Sequence, residues 1–130
     1  MNRRSLIFLP LFLAACSKSG KSLEDLLPHE LGGWKRGDVT TPAEVPAAAE
    51  ALGAVGSAGA LYLGEGRVRV RVLEMKAETV AFELMQRWRP QTDGLGTYKG
   101  RHFFIAQGEA GSTPETVMQL LGLLQKAAAV

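Results

Sequence analysis

Cysteine is scarce in this sequence, and its scarcity excludes several kinds of structure. The chain has 130 residues and one cysteine, Cys16. A single thiol cannot form an internal disulfide or supply a multi-cysteine metal centre. The two histidines, His29 and His102, are far apart in the sequence and do not have the spacing of metal ligands. The sequence therefore predicts no metal site and no cofactor.

A surplus of charge of one sign is also missing. The chain has 15 Lys+Arg and 13 Asp+Glu, and two of the basic residues, Arg3 and Arg4, stand at its start. Without these two, 13 basic side chains balance 13 acidic ones. Nucleic-acid binding draws its affinity from basic groups that neutralise phosphates. No nucleic-acid partner is expected.

The first hydrophobic run is too short to span a membrane. Residues 5–15 are mostly apolar, whereas a transmembrane helix needs about 20 apolar residues. A basic start, a short apolar run and two small residues, Ala14 and Ala15, are arranged in the order of a secretory signal. Residues 1–15 are therefore predicted to be a signal peptide.

The end of this signal, Leu13-Ala14-Ala15-Cys16, resembles the lipobox of bacterial lipoproteins. The resemblance implies that a diacylglycerol, with acyl chains such as palmitate, is attached to the Cys16 thiol. It also implies that a peptidase cuts between Ala15 and Cys16. The mature protein would be exported and anchored to the membrane by lipid, with residues 16–22 as a polar tether. If the organism has two membranes, Ser17 as the second residue favours the periplasmic side of the outer membrane.

Residues 23–130 are predicted to form a single α+β domain. After an N-terminal helical and irregular segment, which includes an alanine-rich helix within residues 40–54, the pattern reads β-β-α-β-β-α. The hairpins lie within residues 58–72 and 97–106, and the helices over residues 77–89 and 114–128. This order predicts a small antiparallel sheet with helices packed on one face.

The first hairpin contains the sequence's most chemically distinctive residues. If Glu65 and Gly66 form a two-residue turn, Leu63 pairs with Val68. The buried face then carries Leu61, Leu63, Val68, Val70 and Val72. The other face carries Tyr62, Arg67, Arg69 and Arg71.

Arg67, Arg69 and Arg71 are called the arginine stripe from here on. Three guanidinium groups on one face are suited to binding phosphate or carboxylate groups, with Tyr62 as a stacking surface. The same residues also fit an exposed sheet face that charge keeps soluble. The balanced charge of the chain favours the second interpretation.

Nothing in the sequence is typical of a catalytic site. The chain has no Gly-x-Ser-x-Gly elbow, and carboxylate pairs such as Glu74 and Glu78 are common on helix surfaces. The expected function is that of a non-enzymatic module which binds another envelope component, a protein. The alternative is an anion-binding domain that uses the arginine stripe on lipid headgroups, lipopolysaccharide or acidic glycan. An enzyme of unidentified class is the third possibility.

Residues 27–105 also resemble a family of exported bacterial proteins that share a Leu-Pro…Gly-Trp-x-Arg opening. The matching segments are Leu27-Pro28, Gly33-Trp34-Lys35-Arg36, Gly59-Ala60-Leu61-Tyr62-Leu63, Val68 to Met75 and Ala81-Phe82. The family has no assigned activity. The resemblance implies export and this fold, and no mechanism.

Overall fold

A computed structural model describes residues 22–89, 94–109 and 111–128 of the chain. The predicted signal peptide, Cys16 and nearly all of the predicted tether lie outside these residues. None of the helices in the described part is long and apolar enough to cross a membrane.

Strands and helices are mixed along the described chain, which confirms the predicted α+β class. The elements in chain order are a 3-10 helix Leu23–Leu26, β1 Glu30–Leu31, β2 Trp34–Arg36, α1 Ala47–Ala51, β3 Gly56–Leu63, β4 Arg67–Glu74, α2 Glu78–Arg87, β5 Leu95–Lys99, β6 His102–Gly108 and α3 Pro114–Ala128. The strands form one sheet in the order β1-β2-β3-β4-β6-β5, and neighbouring strands pair antiparallel. The two predicted hairpins are β3–β4 and β5–β6, and the pairing of β4 with β6 joins them.

The helices are divided between the two faces of the sheet. Helix α3 packs on the face that carries Val70 and Phe104. Helices α1 and α2 pack on the other face, against Leu73, Phe103 and Ile105. Successive residues of a strand point to opposite faces, so the buried run from Phe103 to Ile105 needs cover on both sides. The sequence pattern predicts helices on one face, and the structure adds this second layer.

The predicted register of the first hairpin is wrong by one residue. Leu63 pairs with Arg67 and Tyr62 pairs with Val68, because the connection has three residues, Gly64 to Gly66, instead of two. Tyr62 is therefore fully buried, at 0% exposure, on the face of the valines, while Leu63 is 45% exposed. Tyr62 does not share a face with the arginine stripe.

Two contacts explain why this register is the stable one. The Tyr62 hydroxyl donates a hydrogen bond to the Pro28 carbonyl at 2.8 Å, so its polar end is satisfied inside the core. The ring of Trp34 lies against Gly64, where an added Cβ would come within 2.8 Å of it. A glycine at this position lets the indole cover the start of the connection.

Candidate functional site

The arginine stripe lies on β4, on the sheet face opposite Tyr62 and Val70. Arg67 and Arg69 are exposed and Arg71 is half-buried. Their alternate positions along one strand place them on the same face, as the sequence predicts. Arg69 stands in a row that crosses three strands, with Leu61 beside it on β3 and Gln107 beside it on β6.

Tyr62 takes no part in this site, contrary to the prediction that it supports the stripe. Its hydroxyl faces the carbonyl of Pro28, and burial raises the pKa of Tyr62 well above its ordinary value, while the charge of Arg36 acts in the opposite direction. The residue that does lie beside Arg69 on β3 is Leu61. The stripe thus has an aliphatic neighbour where a stacking ring was expected.

One carboxylate is shared by two members of the stripe. Glu109, just after β6, accepts from Arg69 Nη2 at 2.9 Å and lies 3.5 Å from Arg67 Nε. Both arginine side chains are more than half exposed, so these ion pairs contribute little to stability. Their consequence is electrostatic, because Glu109 offsets one of the three positive charges and leaves Arg71 outside the pair.

A segment between β2 and α1 crosses the stripe's face of the sheet. This crossing segment, residues 38–46, begins alongside β3, where Thr40 forms a β-bridge with Gly59. It then turns over the strand at Gly59, where an added Cβ would lie 3.2 Å from the Ala43 Cβ and 3.2 Å from the Val70 carbonyl oxygen. Glycine therefore lets the crossing segment lie directly on the sheet.

Ser57 on β3 binds the crossing segment to the sheet through two hydrogen bonds. Its hydroxyl donates to the Ala43 carbonyl at 2.7 Å and accepts from the Ala43 N–H at 2.9 Å. Ser57 is 4% exposed, so water cannot easily replace it. Both backbone groups of Ala43 are thus satisfied by one side chain.

Replacing Ser57 with alanine should lower the free energy of unfolding by about 1–3 kcal/mol, since it leaves a buried donor and a buried acceptor without partners. Ser112→Ala is the matched control, because the Ser112 hydroxyl makes the same pair of bonds to Arg67 at a more exposed position. The control should lose less than about 1 kcal/mol. Urea denaturation measures both, and equal losses would contradict the proposed role of Ser57.

Between the crossing segment and the strands is a groove of about 500 Å³. Volumes of roughly 300–1,000 Å³ are typical of small-molecule sites. Its floor includes Leu61, Arg69, Arg71 and Gln107, and its wall includes Asp38, Thr40 and Glu44. Arg71 connects the floor of the groove to its wall, because its Nη1 on β4 donates a hydrogen bond to the Glu44 carbonyl of the crossing segment at 3.1 Å.

Several of these residues cannot be assigned to the site from the sequence alone. Glu109 reaches the stripe only through the pairing of β4 with β6, and that pairing joins two separate hairpins. The crossing segment occupies the first part of residues 40–54, the stretch within which the sequence predicts an alanine-rich helix, and the helix observed is the short Ala47–Ala51. Pro42 and Pro46 are the signal for the difference, since proline disfavours helix at the residue before it.

The histidines lie apart from the groove. His29 contacts Arg36, whose Nη2 is 3.1 Å from the His29 Nε2. His102 pairs with Glu74 across β4 and β6, and burial lowers its pKa while the charge of Glu74 raises it. Among the described residues, no group of three or more histidine, cysteine or acidic side chains could hold a metal ion.

Comparison with known proteins gives no match. No protein-family model, no curated protein and no solved structure matches this chain. The resemblances to lipoproteins and to exported proteins with a Leu-Pro…Gly-Trp-x-Arg opening therefore stay predictions.

Proposed function

We propose that the chain is an exported lipoprotein whose domain is a non-enzymatic module that binds another component of the cell envelope. The order of features from Arg3 to Cys16 supports export and lipid attachment. Ser22, the first residue of the described domain, lies six positions after Cys16, and an extended chain of that length reaches roughly 20 Å. The anchored domain would work close to the membrane surface.

The groove beside the crossing segment is the observation that carries the binding function. Its sides come from different parts of the chain, and Ser57 and Arg71 hold them together through the hydrogen bonds to Ala43 and Glu44. A preformed concavity is the usual form of a binding site, and here polar and charged side chains make up much of its lining. We propose that the envelope component, a protein in the first instance, contacts the domain here.

Photo-crosslinking in intact cells tests this proposal. A photoreactive amino acid at Thr40, which is exposed on the groove wall, should give a discrete crosslinked product. The same amino acid at Gln119, exposed on α3 against the other face of the sheet, is the matched control and should not. The same product from both positions, or none from Thr40, would contradict binding at the groove.

The alternative function is anion binding by the arginine stripe, on lipid headgroups, lipopolysaccharide or acidic glycan. It is supported by three arginines on one face with a single carboxylate, Glu109, in contact with two of them. Against it stands the charge balance of the chain after Arg4, in which 13 basic side chains, the stripe included, meet 13 acidic ones. Exposed charge contacts are screened beyond about 8 Å in physiological salt.

Vesicle co-sedimentation separates these two functions. Residues 17–130 should bind weakly to anionic vesicles, and replacing the three stripe arginines by glutamine should change that binding no more than replacing Arg87, Arg89 and Arg101. The physical reason is that Glu109 offsets part of the stripe's charge. A salt-sensitive loss confined to the stripe variant, with its circular dichroism unchanged, would instead favour headgroup binding.

A further inference from the structure

The groove is lined by charges of both signs. Arg69 and Arg71 lie in its floor, and Asp38 and Glu44 lie in its wall. Within the described residues, no salt bridge joins either of these acids to either arginine. Charges of opposite sign thus border one cavity without neutralising each other by contact.

The contacts of the two arginines show what each offers to the groove: Glu109 offsets the charge of Arg69, whereas no carboxylate among the described residues pairs with Arg71. Arg69 uses its Nε and Nη2 on Glu109, outside the groove lining, which leaves Nη1. Arg71 is held by the backbone carbonyl of Glu44, which carries no net charge, and this bond directs the guanidinium towards the wall. A guanidinium fixed at one nitrogen still offers its other N–H groups in the geometry that a carboxylate requires.

We propose that the groove binds a zwitterion, a small organic molecule that carries both a carboxylate and an ammonium group. The carboxylate contacts Arg71 and Arg69 on the floor, and the ammonium faces Asp38 and Glu44 on the wall. Free amino acids and short peptides with unblocked ends share this chemistry. This inference rests on the proposed binding function of the groove, and it names a small zwitterion, in place of a protein, as the envelope component bound there.

The rest of the lining suits the middle of such a molecule. Leu61, next to Arg69 on β3, and Pro42 and Ala43 on the crossing segment supply apolar contacts. Gln107, next to Arg69 on β6, supplies an amide that both donates and accepts. Aliphatic side chains and peptide groups are the matching partners.

Capped peptides on the unaltered protein are the first test. The full chain is purified in an uncharged detergent, and calorimetry measures binding of trialanine, N-acetyl-trialanine and trialanine amide. Trialanine should bind at least tenfold more tightly than either capped form, because each cap removes one charged hydrogen-bonding partner. Alanine and dialanine, measured alongside, distinguish a single amino acid from a peptide as the preferred length.

A variant of Arg71 is the second test. Arg71→Gln should weaken trialanine binding about tenfold and remove the difference between trialanine and its amide, whereas the preference over N-acetyl-trialanine remains. Arg87→Gln is the matched control, since Arg87 is an exposed arginine on α2 that pairs with Glu83, and it should bind trialanine like the unaltered chain. Glu44→Gln should show the reverse pattern, with sensitivity only to amidation kept.

Two results of the peptide measurements would contradict the zwitterion proposal. The zwitterion inference is overturned if N-acetyl-trialanine binds as tightly as trialanine, and simple anion binding would then account for the groove. It is equally overturned if none of the peptides binds. A crosslink from Thr40 in cells would still support the proposed envelope-binding function in both cases, so the two failures can be told apart.

Discussion

Tyr62→Ala should lower the free energy of unfolding by about 3–5 kcal/mol, the usual cost of deleting a large aromatic side chain from a core. Tyr62 is fully buried among Val68, Val70 and Trp34 in the core that α3 covers. The neighbouring Leu63→Ala should cost less than about 1 kcal/mol, because Leu63 is 45% exposed and lies on the stripe's face. Urea denaturation of residues 17–130 measures both changes.

This pair of variants discriminates between the two registers of the first hairpin. With a two-residue turn, Leu63 would be in the core and Tyr62 would be exposed, so the order of the two losses would be reversed. Tyr62→Phe serves as a control for the hydroxyl alone. It keeps the ring and leaves the Pro28 carbonyl without its donor, so it should lose about 1–3 kcal/mol. A larger loss for Leu63→Ala than for Tyr62→Ala would disprove the observed register.

The register could not be predicted because β3 is hydrophobic on both of its faces. One set of alternate residues is Ala58, Ala60 and Tyr62, and the other contains Leu61 and Leu63. By side-chain size the leucines look like the buried set. The structure instead buries the tyrosine through its hydrogen bond to Pro28, a residue 34 positions earlier. A contact that distant leaves no periodic signal in the strand itself.

The second strand was predictable where the first was not. In β4, valines alternate with arginines from Arg67 to Val72, and the structure buries the valines and places the arginines on the other face. The alternation is interrupted at Leu73, and the reason is visible only in the fold. Helix α2 covers this end of the stripe's face, so a hydrophobic residue belongs there. The groove lies on the part of the same face that helix α2 does not cover.

The candidate site shows the same division between local and long-range information. That the stripe shares a face follows from spacing within one strand. The groove requires residues 38–46 to cross β3, and this depends on two small residues of β3, Gly59 and Ser57, meeting Ala43. Neither residue is distinctive by itself. This contact places Asp38 and Glu44 in the wall of the groove. Their neighbours in the sequence do not indicate this position.

Cys16→Ser should abolish lipid attachment completely, the second large effect expected. The proposed acceptor is the Cys16 thiol, and no other cysteine exists in the chain to replace it. A serine hydroxyl is far less readily ionised than a thiol, so it is a poor nucleophile for this transfer. In cells fed a labelled fatty acid, the variant should carry no label and should keep the residues before position 16.

Ser17→Ala is the matched control for this experiment. It changes the adjacent side chain and leaves the Leu13-Ala14-Ala15-Cys16 sequence intact, so labelling and cleavage should proceed as in the unaltered chain. Mass spectrometry of the N-terminus and detergent partitioning measure the outcome, because a lipid-bearing protein enters the detergent phase. If the Cys16→Ser protein begins at residue 16 and still partitions with detergent, the anchor is not on Cys16.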